Sequence, residues 1–520
     1  MSTTGGAIQR FVCWVICLLA GALLAAGCGT EEGDPSGPAL SKSESWRSDG
    51  VSRSSDGGSG SFDGGSGSFD GGSGTNFARP LSIPPVLAPT SSDATTDFYN
   101  IEMRTGTAQI RNSGSGTPIW GYNGLFPGPT IVATKGRPVQ VTQRNSLSEN
   151  MTVHNHGHKA AASSDGHPTD YIFPGASKTY YYPNDQRAST YWYHDHTMDL
   201  TGPHINNGLA AYYIIRDPAE DSLNLPSGSY DVPLLIQDRK FVFGSNNLSY
   251  DAQDNLDREG FLGDVAVVNG IETPYFEVAN RKYRFRVLNG SNAREYNLVV
   301  RLSGSFSNRS FQVIGSDGGL LTGPVTVTSL RIAPAERYDI VISFAGLGVG
   351  TNLVLQNTDS TRPEITDLMQ FRVTRSESDP SVVPATLSSI TRLDRSQSAG
   401  TFDIIFDSDR NDWTLNGKLY DPARIDVTSH LNTVYIWRLI NRSRQMHPFH
   451  KHLTQFNVLT LNGSNPPAIK NGWKDTIAVD SDATVEIIFK DETFSGIYVF
   501  HCHRLEHEDH RMMLQEETVP

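Results

Sequence analysis

Cysteine is scarce in this sequence. The 520 residues include four cysteines, and only Cys502 lies beyond residue 28. A chain so poor in cysteine does not depend on a disulfide framework, so its stability must come from hydrophobic cores or from bound metal. Its length and its 37% of hydrophobic residues are sufficient for several such cores.

Positive charge is also in short supply. Lys and Arg number 43 against 56 Asp and Glu, which gives a formal net charge of -13. Nucleic acids and anionic membrane surfaces attract basic proteins, so neither is expected as the main partner.

Long amphipathic helical patterns are scarce as well. From Asn100 onward, short segments rich in Val, Ile, Tyr, Phe and Thr, such as RKYRFRVLN and ATVEIIFKD, are separated by Gly, Pro, Asn or Asp. This pattern is typical of strands and turns. About 430 residues of it suit three β-sandwich domains at ordinary domain sizes. We predict these domains at 86–218, 219–384 and 385–520.

The N-terminus carries an apolar run from Phe11 to Ala26 behind a single arginine, Arg10. The run is shorter than the roughly 20 residues that cross a bilayer, and it predicts an export signal over residues 1–27. Its end, LLAAGC, resembles the bacterial lipoprotein signal, which implies lipidation of Cys28; the alternative is an ordinary cleavage site with an incidental cysteine. We therefore expect an exported protein held by its lipid alone, with the outer membrane favoured, facing the periplasm or the cell surface.

A polar segment follows the signal. Residues 28–85 are rich in Gly, Ser and Asp, and the motif SFDGGSG recurs at Ser61 and Ser68. Such a composition buries too little apolar surface to offset the entropy of ordering, so it predicts a flexible linker. The regularly placed Phe residues leave a binding repeat as the alternative.

Histidine is distributed unevenly. Ten of the fifteen histidines fall into four short clusters, and none lies in residues 219–384. Alternate side chains of a strand share one face, so an HxH pair can present two imidazoles to one metal site. The clusters are HNH (His154, His156), HDH (His194, His196), HPFHKH (His447, His450, His452) and HCHRLEH (His501, His503, His507).

In the HCH motif the same alternation turns Cys502 away from His501 and His503, so one strand can serve two metal centres. A thiolate, two imidazoles and a weak axial methionine form the ligand set of blue copper sites. Cys502, His507, Met512 and one histidine of HPFHKH provide that set, and the other histidines suit copper bound by imidazole alone. A single HxH pair is usually a surface or hydrogen-bonded feature, and His503 with His507 has the spacing of a helical zinc pair. Four clusters together are not explained in that way.

The order HxHG, WYHDH, HPxHxH and HCHxxxHxxxxM resembles the multicopper oxidases, most closely the bacterial spore-coat laccase and bilirubin oxidase branch. Other segments, including GLFPGPTI, SSDGHP, IGSDGGLL and GWKDT, resemble the same family, and the resemblance covers about residues 100–515. It implies three cupredoxin-like Greek-key β-sandwich domains. It also implies four copper ions: one type 1 ion in the last domain, and one type 2 and two type 3 ions between the first and last domains.

The resemblance also assigns ligands. It implies that His447, Cys502 and His507 bind the type 1 copper, with Met512 as the axial ligand and Met513 as a weaker competitor. The type 2 copper falls to His154 and His450. The type 3 pair falls to the remaining histidines of the clusters: His156, His194, His196, His452, His501 and His503.

The family chemistry couples one-electron oxidation of a donor at the type 1 copper to reduction of dioxygen to water at the other three. In the family, His507 matches the exposed ligand through which electrons enter, and Cys502 passes them to His501 and His503. Oxygen reduction consumes protons, and Glu508 and Asp165 match acids that assist proton delivery. A solvated or merely orienting role is the alternative for both, and Asp475 is a weaker candidate.

The donor is less constrained than the oxygen chemistry. Phenols and aromatic amines are the favoured substrates, as in a laccase. Cuprous, ferrous or manganous ions are the first alternative, although the eight methionines are scattered without the methionine-rich run of copper-handling forms. A tetrapyrrole, as in bilirubin oxidase, and plain copper sequestration are further alternatives. A nitrite reductase would not need the full set of paired histidines.

Overall fold

The structure is a computed structural model that describes residues 76–250, 259–409 and 412–520. The predicted export signal (1–27), the lipidation site Cys28 and most of the linker lie outside the described residues, so export and lipid anchoring stay predictions. The described residues all fall within one compact unit, Asp70–Pro520. In that part of the chain, no helix has the length and apolar character needed to cross a membrane.

Two sheets face each other in the first domain and enclose a core of Tyr, Ile and Val side chains. One sheet has the order β1-β2-β5-β7 with β3 beside β2, and the other has the order β4-β9-β8-β6. The elements are β1 (Ser91–Ser92), β2 (Asp97–Ala108), β3 (Thr117–Tyr122), β4 (Ile131–Thr134), β5 (Val139–Asn145), β6 (Val153–His156), α1 (Ala162–Asp165), β7 (Ser177–Tyr182), β8 (Ser189–Asp195), α2 (Thr201–Asn207), β9 (Ala210–Arg216) and α3 (Pro218–Asp221).

The second domain has larger sheets of eight and six strands. Their inner faces contribute a continuous cluster of Val, Leu, Ile and Phe. Its strands are β10 (Asp231–Phe241), β11 (Leu248–Ser249), β12 (Val265–Val268), β13 (Ile271–Glu272), β14 (Tyr275–Ala279), β15 (Lys282–Asn289), β16 (Tyr296–Leu302), β17 (Asn308–Arg309), β18 (Phe311–Ser316), β19 (Gly319–Val327), β20 (Leu330–Ile332), β21 (Arg337–Ser343), β22 (Asn352–Asn357) and β23 (Asp367–Arg375), after a 3₁₀ turn at Gly228–Tyr230.

The third domain again pairs two sheets, in the orders β25-β24-β27-β31-β29 and β26-β33-β32-β28-β30. Its elements are β24 (Ser398–Asp409), β25 (Asp412–Leu415), β26 (Val427–His430), β27 (Val434–Asn441), β28 (His447–Lys451), β29 (Asn457–Leu461), β30 (Thr476–Val479), β31 (Thr484–Lys490), β32 (Gly496–Cys502), α4 (Leu505–Asp509) and β33 (Met513–Val519), with 3₁₀ turns at Arg395–Gln397 and Ala468–Lys470. The prediction of an all-β chain built from three sandwich domains is confirmed, and the residues at which the domains meet stay predictions.

The end of the predicted linker is packed. Within residues 76–85, the Phe77 amide donates to the Thr273 carbonyl at 2.9 Å and the Leu81 amide to the Tyr275 carbonyl at 2.7 Å. Leu81 is buried in the core of the second domain. Composition alone did not show this, because the apolar residues here are few and their partners lie far along the chain.

Two pairs of strands carry most of the clustered histidines. In the first domain, antiparallel β6 and β8 place His154 opposite His194. In the third domain, antiparallel β28 and β32 place His450 opposite His501 and Phe449 opposite Cys502. Each motif is therefore already paired within its own domain.

Candidate metal centres

The thiolate lies in a compact group of three donors. Cys502 Sγ is 3.4 Å from His447 Nδ1 and 3.7 Å from His507 Nδ1, and the two nitrogens are 3.2 Å apart. All three side chains are fully buried. Two imidazole nitrogens and a sulfur directed at one point match the donor set that selects copper of the blue type.

Strand alternation explains which histidine of HPFHKH joins the thiolate. Within β28, His447 and Phe449 point the same way, and Phe449 packs in the third-domain core together with Cys502. His450 points to the other face, where it contacts the first-domain histidines. The motif thus divides its ligands between two centres, as strand geometry requires.

The structure also distinguishes the two adjacent methionines. Met512 is buried in the same hydrophobic cluster as Cys502, whereas Met513 packs with Tyr420 and Val499 in a separate cluster. The Cys502 amide donates to the Met512 carbonyl at 3.1 Å, and the Met512 amide to the His507 carbonyl at 2.9 Å. These bonds fix Met512 next to the thiolate group and favour it over Met513 as an axial ligand.

His507 differs from expectation. The resemblance implied that it is the exposed ligand, but its relative exposure is 0%. The indole of Trp413 stacks on it with ring centroids 4.9 Å apart and planes at 30°, and the same indole meets the edge of His447 at 5.1 Å. The expectation of an exposed His507 edge is therefore wrong: the half-buried Trp413 covers the imidazole.

The other eight clustered histidines gather between the first and third domains. Three sets of three histidines have all their donor atoms within 4.8 Å of one another, and each combines residues of both domains; one of them, His154, His450 and His452, shares His452 with another set, and the remaining two sets are called the triads. One triad is His156, His194 and His503, and the other is His196, His452 and His501. These are the six residues that the resemblance assigns to the type 3 pair, divided into two sets of three.

The two histidines outside the triads face each other. His154 Nε2 and His450 Nε2 are 3.4 Å apart. His154 stacks on His452 at 3.7 Å and His450 on His156 at 3.6 Å, so this pair is packed against both triads. The arrangement brings together the two residues expected to hold the type 2 copper.

The protein holds one nitrogen of nearly every imidazole and leaves the other directed inward. Nδ1 donates to a backbone carbonyl in His154 (2.6 Å), His194 (2.8 Å), His450 (2.8 Å) and His501 (3.0 Å). His156 is reversed, with Nε2 3.0 Å from the Thr476 hydroxyl and Nδ1 without a hydrogen bond. Second contacts of this kind fix the tautomer and ring orientation of metal-binding histidines. The donor set therefore fits bound copper.

Burial keeps most of these imidazoles neutral. It lowers the pKa of His154, His194 and His450 well below the usual range, and it lowers the pKa of His503 to about 3. His196 is an exception because Glu508 outweighs burial and raises its pKa. Neutral imidazole is the form that binds metal, so a low pKa favours ligand function.

Both predicted acids contact the cluster. Glu508 lies 3.0 Å from His196 Nδ1 and 3.2 Å from His501 Nδ1. Burial opposes its ionisation, but these imidazoles hold its pKa well below the usual range. Asp165 Oδ2 is 2.7 Å from His452 Nδ1, and burial raises the pKa of Asp165 to about 7. One acid is thus favoured as a carboxylate and the other as a proton donor near neutral pH.

The histidines outside the clusters lie apart from both groups of donors. His158 is bonded to Asn184 (2.9 Å), His204 to Asp195 (2.7 Å) and His167 to Gln515 (2.9 Å). His430 is exposed at the end of β26, and His510 lines a cavity beside α4. None of these five belongs to a group of potential metal ligands among the described residues.

Several residues around the centres were not among the site residues predicted from the sequence. The Ser443 hydroxyl lies 2.8 Å from His447 Nε2, and the Trp192 ring lies 4.2 Å from that of His194. Arg337 of the second domain forms a buried ion pair with Asp475, which lies 3.1 Å from His156. Trp192 lies inside the WYHDH motif and was within reach of motif reading, but Ser443 and Arg337 lie outside the histidine motifs.

The combination of β-sandwich domains, a thiolate site and a cluster of imidazoles is typical of copper proteins of the blue oxidase class. Multicopper oxidase family models match residues 104–220, 244–369 and 395–520. The chain is 36% identical to a laccase of Bacillus subtilis (strain 168) over 506 residues, which covers 84% of this chain and 97% of the laccase. It is 34% identical to a bilirubin oxidase of Albifimbria verrucaria, over 84% of this chain and 80% of that enzyme.

Solved structures agree with the sequence comparisons. A laccase crystal structure from Pediococcus acidilactici superposes with a TM-score of 0.79 at 34% identity, covering 85% of this chain and 94% of that chain. The chain belongs to the multicopper oxidase family, and it is an oxidoreductase that uses oxygen. The family, the branch and the cupredoxin-like fold predicted from the motifs are confirmed.

Proposed function

We propose that this protein is a laccase-like oxidase that oxidises phenolic or aromatic amine donors one electron at a time and reduces dioxygen to water. It would bind four coppers. His447, Cys502, His507 and Met512 would hold the type 1 ion, and His154 with His450 the type 2 ion. The two triads would hold one type 3 ion each: His156, His194 and His503 for one, and His196, His452 and His501 for the other.

The observation that carries this proposal is the division of the donors. One group contains the only cysteine among the described residues, and the other contains eight imidazoles, nearly all with one ring nitrogen held by the protein. Storage of copper does not require two such different sets. Copper bound in them would supply one-electron chemistry at the thiolate and oxygen binding at the imidazoles.

The chain itself connects the two sets. Cys502 is joined by single peptide bonds to His501 and His503, so the shortest covalent route between the centres runs through this dipeptide backbone. Asp165 and Glu508 together contact all three histidines of one triad, His196, His452 and His501, and are positioned to hold protons for oxygen reduction.

A basic cavity next to the thiolate group supports an organic donor. It has a volume of 450 Å³ and includes Gln445 and Met446, which directly precede His447. This volume lies within the usual range for small-molecule sites. Its charged lining comprises five arginines (Arg294, Arg331, Arg362, Arg444, Arg504) and three carboxylates (Glu259, Glu295, Asp359). Arg294, Arg331 and Arg362 are ion-paired with carboxylates, so Arg444 and Arg504 are the cations that favour an aromatic donor carrying a carboxylate over a metal cation.

A second cavity favours the alternative donor, a metal ion. It has a volume of 590 Å³, and its lining includes the carboxylates of Asp199, Asp412, Glu506 and Asp509. Hard cations prefer such oxygen ligands. A metallo-oxidase therefore stays the second candidate function.

The oxidase proposal is tested by loading wild type and Cys502→Ser with copper and following absorption and oxygen uptake with a phenol. We expect the wild type to bind four coppers, to be blue and to consume oxygen. The serine variant should keep the other coppers but lose the colour and the uptake. A wild type that binds copper without colour or uptake would leave sequestration as the better description.

The donor is tested with two charge variants. Arg444→Glu should slow oxidation of a phenolic carboxylate by up to about fivefold and leave a neutral phenol unaffected, because an exposed charge contributes at most about 1 kcal/mol. Asp412→Asn should leave both phenols unaffected. If only Asp412→Asn slows the enzyme, and only with ferrous ions, the metallo-oxidase is the better candidate.

A further inference from the structure

The middle domain has no histidine, yet it reaches the imidazole cluster through one carboxylate. Asp475 precedes β30 and is fully buried. Its Oδ1 lies 3.1 Å from His156 Nε2, and its backbone carbonyl accepts from His450 Nδ1 at 2.8 Å. A single residue thus orients one imidazole of the first domain and one of the third.

The carboxylate of Asp475 is in turn held by Arg337, the first residue of β21. Arg337 Nη1 donates to Oδ1 at 2.6 Å and Nη2 to Oδ2 at 2.5 Å, with both side chains completely buried. A guanidinium that binds both oxygens fixes the plane of a carboxylate as well as its charge. The direction in which Asp475 meets His156 is therefore set from the second domain.

Arg337 is itself held by further hydrogen bonds from its side chain and its backbone. Its Nε donates to the Thr190 carbonyl at 3.0 Å, on the strand that carries His194. Its backbone amide donates to Asp317 Oδ1 at 2.7 Å. The other oxygen, Asp317 Oδ2, lies 3.0 Å from Lys474 Nζ and accepts from the Asp475 amide at 3.3 Å. The same network positions both the backbone and the side chain of Asp475.

The glycine after His156 makes room for this ion pair. Gly157 has a φ of +80°, and a Cβ there would lie 2.2 Å from Asp475 Oδ2 and 2.8 Å from Arg337 Nη2. The HNHG motif therefore ends in glycine for two reasons: the left-handed backbone, and the close approach of a pair formed by the other two domains.

We propose that Arg337 is a positioning residue for the copper cluster, acting through Asp475 on His156 and His450. This inference rests on the proposed function, because it takes these histidines as copper ligands. It assigns the middle domain a direct part in building the oxygen-reducing centre, in addition to separating the two domains that supply the ligands.

The test compares Arg337→Lys with a matched control, Arg286→Lys. Lysine keeps the charge but cannot hold both oxygens of a carboxylate. Arg286 lies on β15 of the same domain, is 3% exposed and binds both oxygens of Asp231 at 2.8 Å. Within the described residues, neither Arg286 nor Asp231 forms a hydrogen bond or ion pair with a histidine. Arg286 Nη1 also donates to the Thr190 hydroxyl at 3.0 Å, so the control loses the same type of ion pair and reports any effect that reaches the cluster through β8 alone.

We expect Arg337→Lys to bind cluster copper about 10- to 100-fold more weakly, as is usual when a group that orients a ligand is lost. The type 2 signal in electron paramagnetic resonance should fall, while the blue colour of the thiolate site persists and shows that the third domain is folded. Arg286→Lys should keep both signals. If Arg337→Lys does not fold, Asp475→Asn, which keeps Arg337 but removes the charge that it binds, should show the same selective loss.

Three outcomes decide the matter. Selective loss of cluster copper in Arg337→Lys, or in Asp475→Asn, supports the proposal. Full cluster copper in these variants overturns it. The proposal is also overturned if Arg286→Lys loses the type 2 signal and the blue colour to the same extent as Arg337→Lys does. A wild type without a type 2 signal would instead overturn the assignment of the cluster, and with it the proposed function.

Discussion

The thiolate group and the imidazole cluster are built in different ways. His447, Cys502, His507 and Met512 all come from the third domain, and Cys502 and Met512 lie within its hydrophobic core. The cluster takes its triads from the first and third domains together, and the second domain reaches it through Arg337 and Asp475. The first centre needs one domain to fold correctly, whereas the second needs three domains to pack correctly.

The largest effects are expected when one ligand is removed from each centre, which tests whether the two centres assemble independently. His194→Ala should abolish oxygen uptake and cluster copper while the blue colour persists, because the thiolate group contains no first-domain residue. His447→Ala should abolish the colour and the uptake while cluster copper persists. Copper analysis, absorption and oxygen electrode traces check both, with His430→Ala, at an exposed position of β26, as the control that keeps all three. Loss of colour in His194→Ala would show that the centres do not assemble independently.

A smaller effect separates proton delivery from ligand binding. Asp165→Asn keeps the backbone carbonyl that accepts from His154 Nδ1, but it loses the carboxyl next to His452. We expect turnover to fall by about 10²- to 10⁴-fold, the usual contribution of a positioned acid or base, with copper content unchanged.

The pH dependence of turnover should show whether Asp165 acts as a proton donor. Burial raises the pKa of Asp165 to about 7, so the carboxyl is protonated below that pH and ionised above it. Wild-type turnover should therefore decline above about pH 7 as the proton donor is lost, and the asparagine variant should lack this decline. An unchanged profile in the variant would assign the decline to another group.

The pH dependence of copper binding should also differ between the two centres, and this effect is smaller. Burial raises the pKa of the Cys502 thiol to about 12, so copper binding there must displace a proton at any ordinary pH. Uptake at the thiolate should weaken about tenfold for each unit that the pH falls. Most cluster imidazoles are already neutral because burial lowers the pKa of residues such as His154 and His194. Copper titrations at several pH values, read by blue absorption and by the type 2 signal, should show the steeper dependence for the colour alone.

The contrast between the centres also explains what the sequence could predict. Ligand spacing and strand alternation are local, so the motifs identified all ten clustered histidines and Cys502 as candidate ligands, and the structure brings these residues into two groups of donors. The burial of His507 was not predictable, because it depends on Trp413 from a strand distant in the sequence. The role of Arg337 was hidden for the same reason: a lone arginine in a β-strand has no pattern until the domains are packed.

The smallest expected effect concerns the axial ligand, and it tests whether a change at Met512 affects the thiolate site alone. Met512 packs beside Cys502, and leucine has a similar volume, so Met512→Leu should cost less than about 1.5 kcal/mol of stability. Loss of a weak sulfur ligand should raise the reduction potential of the blue site and leave the type 2 signal unchanged. Met513→Leu is the matched control, because Met513 packs in a separate cluster with Tyr420 and Val499. In a redox titration of the blue colour, the reduction potential should therefore shift only in Met512→Leu. An equal shift in both variants would mean that the potential responds to general packing at the start of β33 and that Met512 is not the axial ligand.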